Sequence, residues 1–577
     1  MKNKYSLIAC CLIFITLCVF RVSYSGIRQG QPPLKVTHWD AFGYYAYLPA
    51  ILIYHDCKEL RWLTAIDARY SVTGGDGWQA EKQANGNYVF KYLGGVAIME
   101  LPFFLIAHGL APVLGYPADG FSPPYQYALG FGVIFYCLLA ILLLRRVLLT
   151  WFTDGIAAFA LLMVCLATNF IQYAAVDSGQ SHAYIFLLYA VVLWATMQWH
   201  RRPSILWMSV IGYTIGLAAI CRPTEAVMLF IPLMWDTHTR EAAKRKWAML
   251  KQRRTQLIAA AGFGFLGILP QLIYWKSVTG SFVYDVGSKW EFLSPHFRVL
   301  FGWEKGWFIY TPITVFFIAG MFFIRQLPFR KSVLWFCLLN IYIIIAWHDW
   351  RYGGSYSTRA LVQSYPVFAL PFAALAGRVS VTRWRIPFYL LCTYLLLVNL
   401  FQITQYCSTV LHYNDMNRLY YTHIYLNPQP SPADISLLDN DEILTREAHY
   451  QQRVIASSAM PAPVTFPANA GADILQKDLN TSGKEAWLKI EAAIYAPGSL
   501  WQSYLHADIK CGDSVKRTRI RLFSPISKSD SVNKYACYIR VPALSAQPNL
   551  RIYIMSPFDF KGTVNSLSVT VFTPVGR

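Results

Sequence analysis

Charge is scarce in this sequence: Asp, Glu, Lys and Arg make up 14% of 577 residues, against 55% hydrophobic and 16% aromatic. That balance excludes a chain that buries its apolar residues in one soluble core, so most of it must lie in lipid. Acids are scarcer than bases, 31 Asp and Glu against 51 Lys and Arg, which leaves a net charge of +20. The bases fall mainly in short clusters between apolar runs, where they set membrane orientation and do not form a nucleic-acid footprint. No CxxC pairing occurs among the 12 cysteines, so their spacing suggests neither a zinc centre nor a dithiol redox pair. No internal repeat is evident, which argues against a transporter built from inverted halves.

Apolar runs able to cross a hydrocarbon layer of about 30 Å lie near 5–24, 126–144, 155–175, 183–199, 204–220, 223–235, 256–275, 306–324, 333–347, 361–377 and 386–406. Lys2 and Lys4 ahead of the first run fit a signal peptide or a first membrane helix, and a retained helix is expected because the loop that follows needs an anchor. A further run, Leu93 to Leu114, contains Glu100, Pro102, His108 and Pro112. Omitting it as a span puts Lys2/Lys4, Arg145/Arg146, Arg201/Arg202, the 240–254 loop, Arg325/Arg330/Lys331 and 378–385 on one, cytoplasmic side. It is then expected as a juxtamembrane or partly inserted hairpin. The fold class is a mainly α-helical polytopic bundle of about eleven spans, N-terminus inside and C-terminus outside.

The membrane part is expected over 1–406, with a first outer loop at 25–125. An irregular, Pro- and Ser-rich connector follows at 407–485. Alternating runs such as AWLKIEAAIY, RTRIRLF and LRIYIM then predict a soluble β-sandwich over 486–577. Cys511 and Cys537 lie in this segment and could form a disulfide in an oxidising compartment.

With this topology the unusual polar residues gather on the outer side: His38 and Asp40, Lys91, Asp177 and His182, Glu304, His348 and Asp349, Arg351 and Arg359. Ionisable groups near lipid are costly without a role. Asp40 opens HWDAFGYYAYLPAILIYHD, where a helix from Ala41 to Tyr54 would lie in the interface. The competing structural reading makes Asp40 its cap and the tyrosines an aromatic belt. Arg222 and Glu225, three apart, are expected to form an ion pair.

An acidic residue just past the first span, followed by GYYAYLP, resembles the first outer loop of the GT-C superfamily of membrane glycosyltransferases. FKYLGGVAIMELPFF, DSGQSHAY, LAAICRPTEAVML, SPHFRVLFGWEKGWFIYTP and WHDWRYGGSYSTR support the likeness in order along 1–406. The chain is similar to the protein O-mannosyltransferase and aminoarabinose transferase branch, although Ala41 stands where a second acid is common. The resemblance implies a polyprenyl-phosphate sugar donor and an inverting transfer with Asp40 as general base. The resemblance also sets Lys91 against the donor phosphate, the alternative being an interfacial lysine that snorkels to water; Arg351 and Arg359, whose guanidinium forks suit phosphate, are candidates for that contact or for pairing with Asp349 or Glu304. His38, Tyr44, Tyr45, Asp177, His182, Glu304, His348 and Asp349 are candidates for the sugar and acceptor pocket. The acceptor is a lipid, a glycan or a protein, and the place a bacterial inner membrane with the site and C-terminal domain periplasmic.

No tightly bound metal is expected, since His38/Asp40 and His55/Asp56 would lie about 20 Å apart across a helix; other loops could still supply a divalent-cation site. Two other readings stand beside the enzyme: a flippase for lipid-linked sugars, or a non-catalytic envelope protein whose bundle anchors the β-domain.

Overall fold

The computed structural model describes residues 3–24, 35–75, 77–481, 485–498, 500–523, 527–541 and 547–574. The chain forms two compact units, Met1–Ile403 and Thr404–Arg577. Among the described residues seven helices are long and apolar enough to cross a membrane: Lys4–Tyr24, Gly95–Val113, Pro123–Leu148, Ser181–Arg201, Arg254–Thr279, Arg359–Val379 and Arg385–Cys407. The chain is a multi-pass membrane protein. The other expected spans are shorter apolar helices, Asp154–Leu166, Ile205–Cys221, Pro223–Met234, Thr314–Phe323 and Arg330–Ile345. By length and composition, six of the eleven expected spans are long enough to cross, and Gly95–Val113, which the sequence reading left out as a span, is long enough as well.

Specific contacts set the direction of the helices. Arg145 donates to Ser6 Oγ and Asn3 O, both at 2.8 Å, while Arg21 reaches Gln126 O at 3.4 Å, so Lys4–Tyr24 and Pro123–Leu148 run antiparallel. Asp154 accepts from the backbone N–H groups of Tyr5 and Ser6 at 2.8 and 3.0 Å, filling donors that a helix start leaves open. The arginine pair Arg145/Arg146 thus shares one end of the bundle with Lys4. Arg21, buried at the other end, touches Ser178 beside Asp177.

Residues 93–114 do not form a hairpin. Gly95–Val113 is one apolar helix that carries Pro102 and Pro112 within it. Both of its flanks nevertheless touch the same stretch of the first loop. Tyr47 donates to Tyr92 O before the helix, and Tyr45 and Tyr54 donate to Gly120 O and Asp119 O after it. The helix packs antiparallel to Pro123–Leu148, through Tyr136 to Met99 O and His108 to Tyr125.

The first loop also departs from the expected single helix. Asp40–Tyr45 and Tyr47–Leu52 are separate, since Pro49 has no N–H to offer the Tyr45 carbonyl. A small hairpin of β1 (Ala80–Lys82) and β2 (Tyr88–Phe90) leads on to Lys91.

The second unit is a sandwich of two antiparallel four-stranded sheets. One orders β3 (Tyr450–Phe466), β10 (Phe560–Pro574), β5 (Ala486–Ala496) and β8 (Ser531–Val541); the other orders β4 (Ala472–Asp478), β9 (Asn549–Met555), β6 (Tyr504–Cys511) and β7 (Ser514–Arg521). Leu488, Ile490 and Val569 meet Leu505, Ile509 and Ile552 in its core. The expected connector at 407–485 is corrected: it holds helices Arg418–Ile424 and Pro432–Ser436 and strands β3 and β4. β3 is an edge strand, largely exposed along its length, so it carries no alternation of apolar and polar residues. No disulfide joins Cys511 to Cys537, which lie on β6 and β8 in different sheets.

Candidate functional site

The site is built at the end of the bundle opposite Lys4. Trp39 takes a left-handed φ of 53° immediately before Asp40. Asp40 is the first residue of its helix, and no described backbone N–H of that helix donates to its side chain. Its Oδ2 instead accepts from Arg359 Nη2 at 2.7 Å, and both side chains are mostly buried, 17% and 12% exposed. Capping is therefore not what holds this carboxylate in place.

Arg359 also donates to Gln180 Oε1 at 3.3 Å. Its position depends on the turn before it. Lys305, 5% exposed, donates to the carbonyls of Arg351 at 3.0 Å and of Gly353, clamping the Tyr352-Gly353 turn, where φ is 54° and 62°. A Cβ at Gly353 would lie 3.3 Å from Arg359 Nη2, so a side chain there would crowd the guanidinium.

Asp177 completes this cluster. Burial pushes its pKa up to about 6, with Arg359 pulling it down and Asp40 adding to the rise. Tyr92 lies beside Asp40, and burial followed by that carboxylate's charge raises its phenol. The Tyr92 ring packs on Tyr44 at 4.6 Å and leaves room only for glycine at position 43, where a Cβ would fall 2.2 Å from Tyr92 Cδ2.

Tyr44 and Tyr92 also wall a cavity of about 320 Å³ lined by Lys91, Arg222, Asp285, Trp275, Trp290, Trp347 and Tyr352. Among the described residues neither the Lys91 nor the Arg222 side chain has a hydrogen-bond or ion-pair partner. Two unpaired cations in an aromatic-walled cavity suit an anionic group carried on an apolar tail.

The expected Arg222–Glu225 pair is absent. Glu225 is buried and satisfied by neutral donors: Tyr189 Oη at 2.5 Å, Gln363 Nε2 at 3.0 Å and Thr224 Oγ1 at 3.4 Å. His182 joins that network through Gln363 Oε1 at 2.8 Å and is 1% exposed. It supports the cavity wall through Gln363, which lines it, and is not itself a wall residue.

Other expected site residues lie elsewhere. His38 bonds Tyr70 O at 3.0 Å, and burial followed by Lys35 holds its pKa down to about 4. Tyr45 is fully buried and bonds Gly120 O, because its side chain points into the core of the first loop. His348 meets Lys289 O at 3.1 Å and is exposed, as is Asp349. Arg351 is exposed and lies over the Trp350 ring at 5.1 Å, so it does not join Arg359. No described hydrogen bond or ion pair ties Glu304 to the Asp40 cluster. Thus the fold unites Asp40, Arg359, Asp177 and Tyr44 and sets Lys91 on the adjoining cavity. It adds Arg222, Tyr92, Gln180, Gln363 and Lys305. The signal for Arg222 was a cation inside an apolar run, masked by the acid three residues on.

Among the described residues no three His, Cys, Asp or Glu side chains gather as metal ligands. Between Asp40 and Asp177 the positive charge is supplied by Arg359, so the residues as placed do not form a divalent-cation site.

No protein-family model matches the sequence, and no curated protein matches it. Solved structures do. The Archaeoglobus fulgidus oligosaccharyltransferase aligns at 12% identity and TM-score 0.43, over 74% of this chain and 59% of that one. Arabinosyltransferase EmbB from Mycobacterium smegmatis aligns at 9% and 0.34, over 84% and 60%. The infectious bursal disease virus VP2 subviral particle aligns at 10% and 0.17, over 22% and 33%. The chain thus spans about three fifths of the two transferases, and likenesses this weak carry no argument about its chemistry.

Proposed function

We propose that this chain is a GT-C membrane glycosyltransferase that moves a sugar from a polyprenyl-phosphate donor to an acceptor hydroxyl at the Asp40 end of the bundle. The observation that carries the reading is the juxtaposition of a buried carboxylate–guanidinium pair with a cavity bearing two unpaired cations. The donor phosphate sits against Lys91 and Arg222, its prenyl chain along the aromatic wall, and its anomeric carbon towards Asp40. The acceptor oxygen attacks that carbon with inversion. The C–O bond to phosphate breaks, its electron pair stays on the phosphate, and the hydroxyl proton passes to Asp40. Lys91 and Arg222 stabilise the departing charge. Arg359 fixes the carboxylate, and Asp177 borders the sugar.

The basic clusters assign the Lys4 end to the cytoplasm, giving about eleven spans, N-in and C-out. The site and the Thr404–Arg577 unit then face the periplasm of a bacterial inner membrane.

Purified protein incubated with radiolabelled polyprenyl-phosphate sugars and membrane extract tests the reading. Label transferred by wild type but not by Asp40→Asn supports it; lipid flipping without transfer, or transfer undiminished in the variant, overturns it.

A further inference from the structure

The outward face of the β4-β9-β6-β7 sheet carries a built arrangement that the transfer reaction does not use. Register places Arg519, His506, Tyr553 and Asp473 in one row across the sheet, and Arg517, Asp508, Arg551 and Gln476 in the next. The intervening residues Leu505, Ala507, Ile509, Ile552 and Ile554 point into the core.

The rings form a ladder standing on the sheet. His506 and Tyr553 stack at 4.8 Å and 10°, and Arg551 covers Tyr553 at 4.7 Å while bonded to Asp473 at 2.7 Å. Arg519 lies over Tyr504 at 4.6 Å. Tyr553 Oη donates to Asp508 Oδ2 at 3.3 Å, and Asp508 Oδ1 is buried with no hydrogen-bond partner among the described residues.

Charge pairing on β7 separates two kinds of cation. Lys516 is held by Glu442 at 2.6 Å and Arg521 by Asp439 at 2.7 Å. Arg517 and Arg519 are exposed and, among the described residues, have no carboxylate partner.

We propose that this face binds an acidic saccharide, a chain whose uronic-acid carboxylates meet Arg517 and Arg519. Guanidinium forks match carboxylates in geometry, and ring edges and one face of Tyr504 suit the C–H surfaces of sugars. The ladder is already packed, so little side-chain freedom is lost on binding. A polynucleotide fits poorly: the stacked faces of His506 and Tyr553 are closed to a base, and Asp473 and Asp508 oppose a run of phosphates. The site is independent of the chemistry assigned to Asp40.

Full-length protein in detergent micelles is titrated with hexagalacturonate, with its neutral methyl ester, and with a short oligothymidylate. The acidic oligosaccharide is expected to bind at least about tenfold more tightly than either competitor, and Arg517→Gln with Arg519→Gln to remove that preference. Arg519→Lys, which keeps the charge but not the fork, should weaken it partly, while Arg453→Gln on the other sheet leaves it unchanged. Equal binding of the ester or the oligothymidylate, no binding of hexagalacturonate, or full affinity in Arg519→Lys and the glutamine variants overturns the proposal.

Discussion

The Asp40 carboxylate and the Arg359 guanidinium, 319 residues apart in the chain, meet at 2.7 Å beside Tyr92, which walls an aromatic-lined cavity. Asp40 is positioned from the far end of the membrane unit, through Arg359 and the turn that Lys305 clamps.

If Asp40 takes the acceptor proton, Asp40→Asn should lower the transfer rate by about 10²- to 10⁴-fold, the usual worth of a positioned base. Polyprenyl-phosphate binding should persist, since the asparagine keeps the shape and Lys91 and Arg222 are untouched. Single-turnover transfer and equilibrium binding, measured on one preparation, separate the two effects.

Lys91→Met and Arg222→Met should each weaken polyprenyl-phosphate binding by about 10- to 100-fold, the scale of one charge-assisted hydrogen bond. Arg351→Ala, His348→Ala and Asp349→Ala should bind within about twofold of wild type, because all three side chains are exposed outside the cavity. Loss of binding in Arg351→Ala with none in Arg222→Met would reverse the assignment.

Asp177 should leave a pH signature. Its folded pKa of about 6 lies above the unfolded value near 3.9, so between these pH values the native state holds more protons than the unfolded state. Stability therefore falls as pH rises from about 4 to 6 and levels off above. Asp177→Asn should flatten that part of the curve, read as melting temperature against pH; an unchanged slope would refute the burial effect.

Gly43→Ala places a methyl group where the Tyr92 ring stands, 2.2 Å from Cδ2. Moving that ring should cost about 1–3 kcal/mol, lower the melting temperature, and reduce transfer by disturbing the residue beside Asp40. Gly109→Ala, whose added Cβ meets nothing within 4 Å, serves as the control.

Much of this was legible in the sequence. Asp40 stood out because an acid at the start of an interfacial apolar stretch is expensive unless used. Arg222 was misread because Glu225 follows three residues later, and only the packed helices reveal that Tyr189 and Gln363 already satisfy that acid. Tyr45 looked equivalent to Tyr44, yet one residue of helical rotation sends it to Gly120 and its neighbour to the cavity. β3 was missed because this largely exposed edge strand sends only a few residues, such as Ile455 and Phe466, to the core and shows no regular alternation.

By composition and order alone, this chain was committed to lipid and to a β-rich C-terminal part, since hydropathy acts locally on each segment. Which polar groups face one another was decided by tertiary structure. Arg359 reaches Asp40, and Arg222 remains unpaired, only once helices distant in sequence pack together, and no periodicity within a single segment encodes that meeting.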